Sequence, residues 1–302
     1  MEQIETEIAR LKQEKNAVLL AHYYVPDEVQ ACADFVGDSF YLSRVAQQTS
    51  AETIVFCGVS FMGESAKILN PSRTVLMPEP AADCPMAHMA DITALEALRA
   101  EHPDLAVVCY INSTAELKAH CDVCVTSSNA LAIVRALPNR EILFLPDENL
   151  GRYIASLVPE KTFYFQQGFC PVHKRITPAA CAEAKAAHPG APLFLHPECV
   201  PEAVALADFA GSTSEIISAA EKSSAPLILI GTDTGVLFEL RRRCPDKRFL
   251  PVVSDQCCRD MRTVTLPKVL RCLRDGTGEV TLPEELRTGA LRPLERMLEL
   301  GR

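Results

Sequence analysis

The sequence predicts an α/β protein built from three similar tandem α/β repeats. Short apolar runs rich in β-branched residues alternate with helix-like segments, which is the pattern of parallel strands joined by helical crossovers. Three stretches resemble one another: "VLLAHYYVPDEVQACADFVGDSFYLSRVA", "AVVCYINSTAELKAHCDVCVTSSNALAIV" and "PLFLHPECVPEAVALADFAGSTSEIISAA". A Cys-Pro pair recurs in "DCPM" and "CPVH", and "DQCCRDM" follows at a similar interval. The expected architecture is three parallel-sheet, three-layer α-β-α units around a pseudo-threefold axis, with a central site.

Each repeat is read the same way. A first strand ends at a polar residue, His22, Asn112 or His196. A helical segment and a short strand near an Asp follow. Then Ser39, Ser127 or Thr213 opens another helix. A second strand comes next, "TIVF", "EILF" or "LILI". The third strand is "TVLMP", "TFYF" or "RFLPVV". Expected boundaries are residues 1–88, 89–175 and 176–265, with the helical tail 266–302 returning to the first repeat.

Composition is that of a globular chain: 302 residues, 48% hydrophobic and 23% charged. The net charge of −9 argues against nucleic acid as the main partner. The charged amphipathic start "MEQIETEIARLKQEKNA" lacks signal-peptide features, and no apolar run is long enough for a bilayer span. The expectation is a cytoplasmic protein with no membrane or nucleic-acid partner.

Thirteen cysteines is a high count. In a reducing compartment most serve as small buried residues. Cys57 and Cys109, inside apolar runs, are read so. Cys121 and Cys124 in "CDVC" enter a strand rather than open a helix, against a thioredoxin-like role. Cys84 and Cys170 differ: both follow the third strand of a repeat, and the third repeat offers Cys257 or Cys258 there.

In open α/β sheets, ligands collect beyond the carboxyl ends of the strands. Three repeats with those ends turned inward would bring three thiols together. Three thiolates suit a soft metal centre. Structural zinc would need a fourth protein ligand, and a four-iron cluster with three would keep one iron open for Lewis-acid chemistry. Ser39, Ser127 and Thr213 at helix N-termini would favour an anion. His22, Tyr24, Tyr110, Asn112, His196 and Glu198, from first-strand ends, would supply hydrogen bonds and acid/base groups. "GTDTG" reads as a plain strand-to-helix turn, with a phosphate contact as the alternative.

The motifs "AHYY", "DFVGDS", "GVSFMGESAKILNP", "DCPM", "YINST", "CVTSSNA", "PDENLG", "CPVH", "HPEC", "GST" and "GTDTG" together resemble the quinolinate synthase (NadA) family along nearly the whole chain. Val25 stands where that family often has Gln. The resemblance implies a [4Fe-4S] cluster on Cys84, Cys170 and a third cysteine. Counting back from "MRTVTL" selects Cys258; counting forward from "RFLP" selects Cys257; Cys258 is the expected ligand. The implied reaction condenses iminoaspartate with dihydroxyacetone phosphate to quinolinate, phosphate and water, in de novo NAD biosynthesis. A transient partner supplying iminoaspartate is also expected. Glu198 is implied as acid/base, assisted by His22, Tyr24, Tyr110 and His196. Asn112, Ser39, Ser127, Ser212 and Thr213 are implied carboxylate or phosphate contacts. Two rival readings share parts of this pattern: a [4Fe-4S] hydro-lyase of aconitase type, and a non-catalytic metal or redox sensor.

Overall fold

Twelve strands form three four-stranded sheets in the computed structural model, which describes residues 2–301. The first sheet holds β1 (Ala17–His22), β2 (Phe35–Gly37), β3 (Thr53–Cys57) and β4 (Thr74–Leu76). The second holds β5 (Ala106–Tyr110), β6 (Val123–Val125), β7 (Glu141–Leu145) and β8 (Thr162–Phe165). The third holds β9 (Leu193–Leu195), β10 (Phe209–Ala210), β11 (Leu227–Gly231) and β12 (Arg248–Pro251). Their orders are 2-1-3-4, 6-5-7-8 and 10-9-11-12, and every strand pairing within them is parallel. The three-repeat α/β architecture of the sequence reading is therefore the observed one. Leu19, Leu20, Val107, Val108 and Leu193 are buried, as strands covered by crossover helices must be.

The Asp noticed before each short strand has a structural task. Asp34, Asp122 and Asp208 each accept a first-strand N–H, from Leu19, Val107 and Leu193, at 2.8 Å. The backbone N–H of each Asp in turn donates to the carbonyl of that same strand residue, at 2.9, 3.0 and 2.9 Å. Lys12, Arg99 and Lys185, from the helix preceding each first strand, pair with these carboxylates.

Register corrects one alignment. Ala21 pairs with Cys57, Cys109 with Leu145 and Leu195 with Gly231. The residues that follow, His22, Tyr110 and His196, are the true equivalents; Asn112 lies two positions further, opposite Tyr24 and Glu198. With this frame, Ser39, Ser127 and Thr213 each fall 17 residues after the equivalent position. The polar character of Asn112 had masked Tyr110 as the strand end.

Contacts between repeats run in a cycle. Glu64, in the helix after β3, accepts the N–H of Ala115 at 3.0 Å. Tyr153, in the helix after β7, donates its hydroxyl to the Ala210 carbonyl at 3.3 Å. Gln30 of the first repeat donates to the Gly235 carbonyl at 3.1 Å, closing the ring.

The tail divides its packing. Helix Leu266–Asp275 lies on Glu2–Glu14 and β3. Helix Glu284–Leu300 lies mainly on Ala115–Ala119 and β6 of the second repeat, and on Ser60–Leu69 of the first. Its buried Ala290, Leu294, Met297 and Leu298 join one apolar core shared by the first two repeats. The third repeat has two further clusters, one of which takes in Tyr23 of the first repeat. No helix among the described residues is long and apolar enough to cross a membrane.

Candidate active site

A cavity of about 440 Å³ opens where the carboxyl ends of β1, β5 and β9 meet. His22, Tyr110 and His196 line it, followed by Tyr24, Asn112 and Glu198. The two histidines are set alike. His22 Nδ1 accepts the N–H of Tyr24 at 3.2 Å, and His196 Nδ1 accepts the N–H of Glu198 at 3.2 Å. The ring proton of the neutral form must then sit on Nε2. Burial lowers His22 to about 4 and His196 to about 3, so both rings are neutral at physiological pH.

Glu198 is buried at the centre of a polar cluster. The Tyr110 hydroxyl donates to its Oε1. His173 Nδ1 lies 2.7 Å from its Oε2, outside hydrogen-bond alignment. Burial alone would raise this carboxyl, but His173, His196 and Tyr110 together hold it well below the usual range. Burial and the nearby Glu198 charge push both Tyr24 and Tyr110 up, so both remain phenols that can donate.

Reasoning from sequence missed His173 and Thr232. His173 Nε2 lies 2.9 Å from Thr232 Oγ1. Thr232 Oγ1 lies 2.8 Å from the Tyr24 hydroxyl, which lies 2.6 Å from Thr213 Oγ1. A polar chain thus joins Glu198 to the Thr213 helix. The signals were present: His173 is the histidine of "CPVH", and Thr232 lies in "GTDTG". That turn is more than a connector. Gly235, which ends it, packs so close to the first repeat that a Cβ would sit 2.5 Å from the Tyr23 carbonyl oxygen.

The helix N-termini are less uniform than expected. Ser39 and Thr213 open their helices, capped by Asp38 and Ser212. Ser127 instead lies in a turn ahead of helix Ala130–Ala136, whose cap position is Asn129. Ser39, Ser127, Thr213 and Asn112 line the cavity. Ser212 does not: it is fully buried, and its hydroxyl caps its own helix in a reciprocal pair with Glu215.

Cys84, Cys170, Cys257 and Cys258 all line the cavity. One backbone latch recurs beside them. Ser60 N–H donates to Ala82 O at 2.8 Å, Glu148 N–H to Gly168 O at 2.9 Å, and Thr234 N–H to Gln256 O at 2.9 Å. The accepting residue lies two before Cys84, Cys170 and Cys258, not Cys257. Each of these three also begins a helical turn, with its carbonyl taken by Ala87, Lys174 or Arg262. Nearby backbone N–H groups of that turn favour the thiolate against burial: Met86 and Ala87 at Cys84, His173 at Cys170, Met261 and Asp260 at Cys258. Burial, then the Cys258 thiol, pushes Cys84 up to about 12. Burial, Glu198 and Cys84 raise Cys170, and burial raises Cys258 to about 11. Cys57 and Cys109 are buried strand residues, as read from sequence.

A family model described as "Quinolinate synthetase A protein" (NadA) matches residues 6–299. The chain is 48% identical over 301 residues to the quinolinate synthase of Caldicellulosiruptor saccharolyticus, covering 100% of this chain and 99% of that protein. It is 48% identical over 299 residues to that of Sulfurihydrogenibium sp., covering 97% of each. It is 46% identical over 306 residues to that of Aquifex aeolicus, covering 100% of this chain and 95% of the relative. Full-length similarity at this level, on a fold whose three repeats share one site, means that the chain belongs to the quinolinate synthase (NadA) family of enzymes.

Proposed function

We propose that the chain condenses iminoaspartate with dihydroxyacetone phosphate to give quinolinate, phosphate and two waters, with a [4Fe-4S] cluster held by Cys84, Cys170 and Cys258. The observation that carries this reading is the convergence of three equivalently latched cysteine loops on the cavity that holds Glu198. The donor set fits the group. Three soft sulfurs line one cavity, and each meets backbone N–H groups that would stabilise a thiolate. Burial keeps the free thiols protonated, so a bound metal would have to displace protons. When bound, the cluster supplies one iron without a protein ligand, a Lewis acid for oxygen or nitrogen groups of the substrate.

The protein groups divide the remaining work. The neutral rings of His22 and His196 offer Nε2–H to carbonyl or carboxylate oxygens. Asn112, Ser39, Ser127 and Thr213 meet the carboxylates or phosphate, the last at a helix N-terminus whose exposed N–H groups favour an anion. Glu198, ionised and oriented by Tyr110, takes protons from carbon or nitrogen and returns them to leaving hydroxyls. Tyr24, fixed by Thr213 and Thr232, sets the wall opposite. Ring closure with loss of two waters needs such repeated transfers at one place.

Purification without oxygen, followed by iron, sulfide and quinolinate assays, tests this. About four iron and four sulfide per chain, with turnover, is the expected result. A second reading rests on Cys170, His173 and Glu198, whose ligand atoms lie within 4.8 Å of one another and could hold a single cation. One zinc per chain with no sulfide would favour it.

A further inference from the structure

Asp147 and Asp233 hold the same place in the second and third repeats, two residues beyond Leu145 and Gly231, which pair with Cys109 and Leu195. Both are fully buried. Each carboxylate serves two backbone donors, one on each oxygen. Asp147 Oδ1 accepts the N–H of Leu150 at 2.8 Å, and its Oδ2 that of Cys170 at 3.2 Å. Asp233 Oδ1 accepts the N–H of Gly235 at 2.7 Å, and its Oδ2 that of Cys258 at 2.5 Å. One oxygen thus grips the turn that starts the next helix, and the other grips a cysteine loop.

The equivalent position in the first repeat is Val59, which is buried. There the loop is tied by the Ser60 hydroxyl, which donates to the half-exposed carboxylate of Asp83. An apolar side chain therefore satisfies this turn of the fold. A carboxylate in a dry site costs free energy unless its oxygens are fully used. Its presence at 147 and 233 points to a task beyond folding, and its second oxygen shows where that task lies.

We propose that Asp147 and Asp233 are positioning residues that hold the Cys170 and Cys258 loops with their thiols facing the cavity. The inference rests on reading these cysteines as cluster ligands. A cysteine whose own N–H is anchored cannot swing its loop outward, so the thiol stays poised for iron and the cluster stays shielded.

The test uses the anaerobically reconstituted full chain and follows iron release to an excess of a ferrous chelator. Far-UV circular dichroism checks the fold, and electron paramagnetic resonance of the reduced protein checks the cluster. Asp147→Val and Asp233→Val copy the first repeat and should speed iron release about 10- to 100-fold, the usual range for groups that orient metal ligands. Asp147→Asn and Asp233→Asn keep the volume but turn an NH2 toward one of the two N–H donors; about tenfold is expected, and these carry the test if the valine variants do not fold. Wild-type release rates in the folded aspartate variants would overturn the proposal. Cys170→Ser and Cys258→Ser separate the two layers. If they lose the cluster while the aspartate variants behave as wild type, the proposal alone fails. If they keep full iron, the ligand assignment fails and the proposal with it.

Discussion

The N–H of Thr234 donates to the carbonyl of Gln256 at 2.9 Å. This bond repeats a latch found before Cys84 and Cys170, and so distinguishes two adjacent cysteines that sequence counting leaves in competition. Cys258→Ser should lose most of its iron and sulfide under anaerobic preparation. Cys257→Ser should keep both, because Cys257 falls outside the repeated frame. The reverse pattern would show that the backbone frame does not select the ligand.

Glu198 is held ionised at the centre of the cavity, and Tyr110 orients one of its oxygens. Glu198→Gln should retain cluster absorbance and lose about 10²- to 10⁴-fold in kcat, the range of a positioned proton-transfer group. Tyr110→Phe should show a smaller loss. Near-normal turnover in the glutamine variant would remove Glu198 from proton transfer. Wild-type turnover that is lost in a variant with an intact cluster would also separate an enzyme from a sensor.

The chain His173, Thr232, Tyr24 and Thr213 fixes one wall by hydroxyl contacts. Removing a typical hydrogen bond costs about 1 kcal/mol, roughly fivefold to tenfold in kcat/KM. Tyr24→Phe and Thr232→Val should each show that loss, and the double variant should lose less than the product of the two, since both remove the same bond. Independent, multiplicative effects would argue against a connected chain.

His22 is buried and lowered to about 4 from an ordinary value of 6.5. The unfolded chain therefore binds this proton before the folded chain does. Stability attributable to the neutral ring is full above pH 6.5 and is lost as pH falls toward 4, with a slope of up to about 1.4 kcal/mol per pH unit. His22→Gln should lose stability less steeply than wild type across that window in urea titrations. Parallel curves would mean that the ring titrates alike in both states.

At Gly235 a Cβ would meet the Tyr23 carbonyl oxygen and Tyr24 Cα, both at 2.5 Å and both backbone. Gly235→Ala must push the first and third repeats apart. A destabilisation of about 1–3 kcal/mol is expected, with weakened substrate saturation because Tyr24 moves. Unchanged thermal unfolding and KM would show that this junction is slack.

Much of this protein is written locally. Strand and helix identity follow from hydrophobic period, and the threefold repeat survives in "AHYY", "YINST" and "HPEC" because each must place polar residues at a strand end. One reading that failed was of alignment. Asn112 looks like the counterpart of His22, and only the pairing of Cys109 with Leu145 shows that Tyr110 is. Register is a property of two strands, so one strand's sequence cannot display it.

The tail shows the same divide. The sequence marks the tail as helical, yet the main partner of Glu284–Leu300 is the second repeat, chosen by where an apolar groove lies in three dimensions. Ser212 reads as a binding serine and is a helix cap; Thr232 and Asp233 read as a plain turn and lie at the site. The sequence by itself determined the fold class, the repeat and the family. The tertiary structure alone decided which hydroxyl faces the cavity, which cysteine shares the common frame, and which carboxylates hold the cysteine loops. Those outcomes depend on contacts between residues far apart in the chain, and local chemistry carries no record of them.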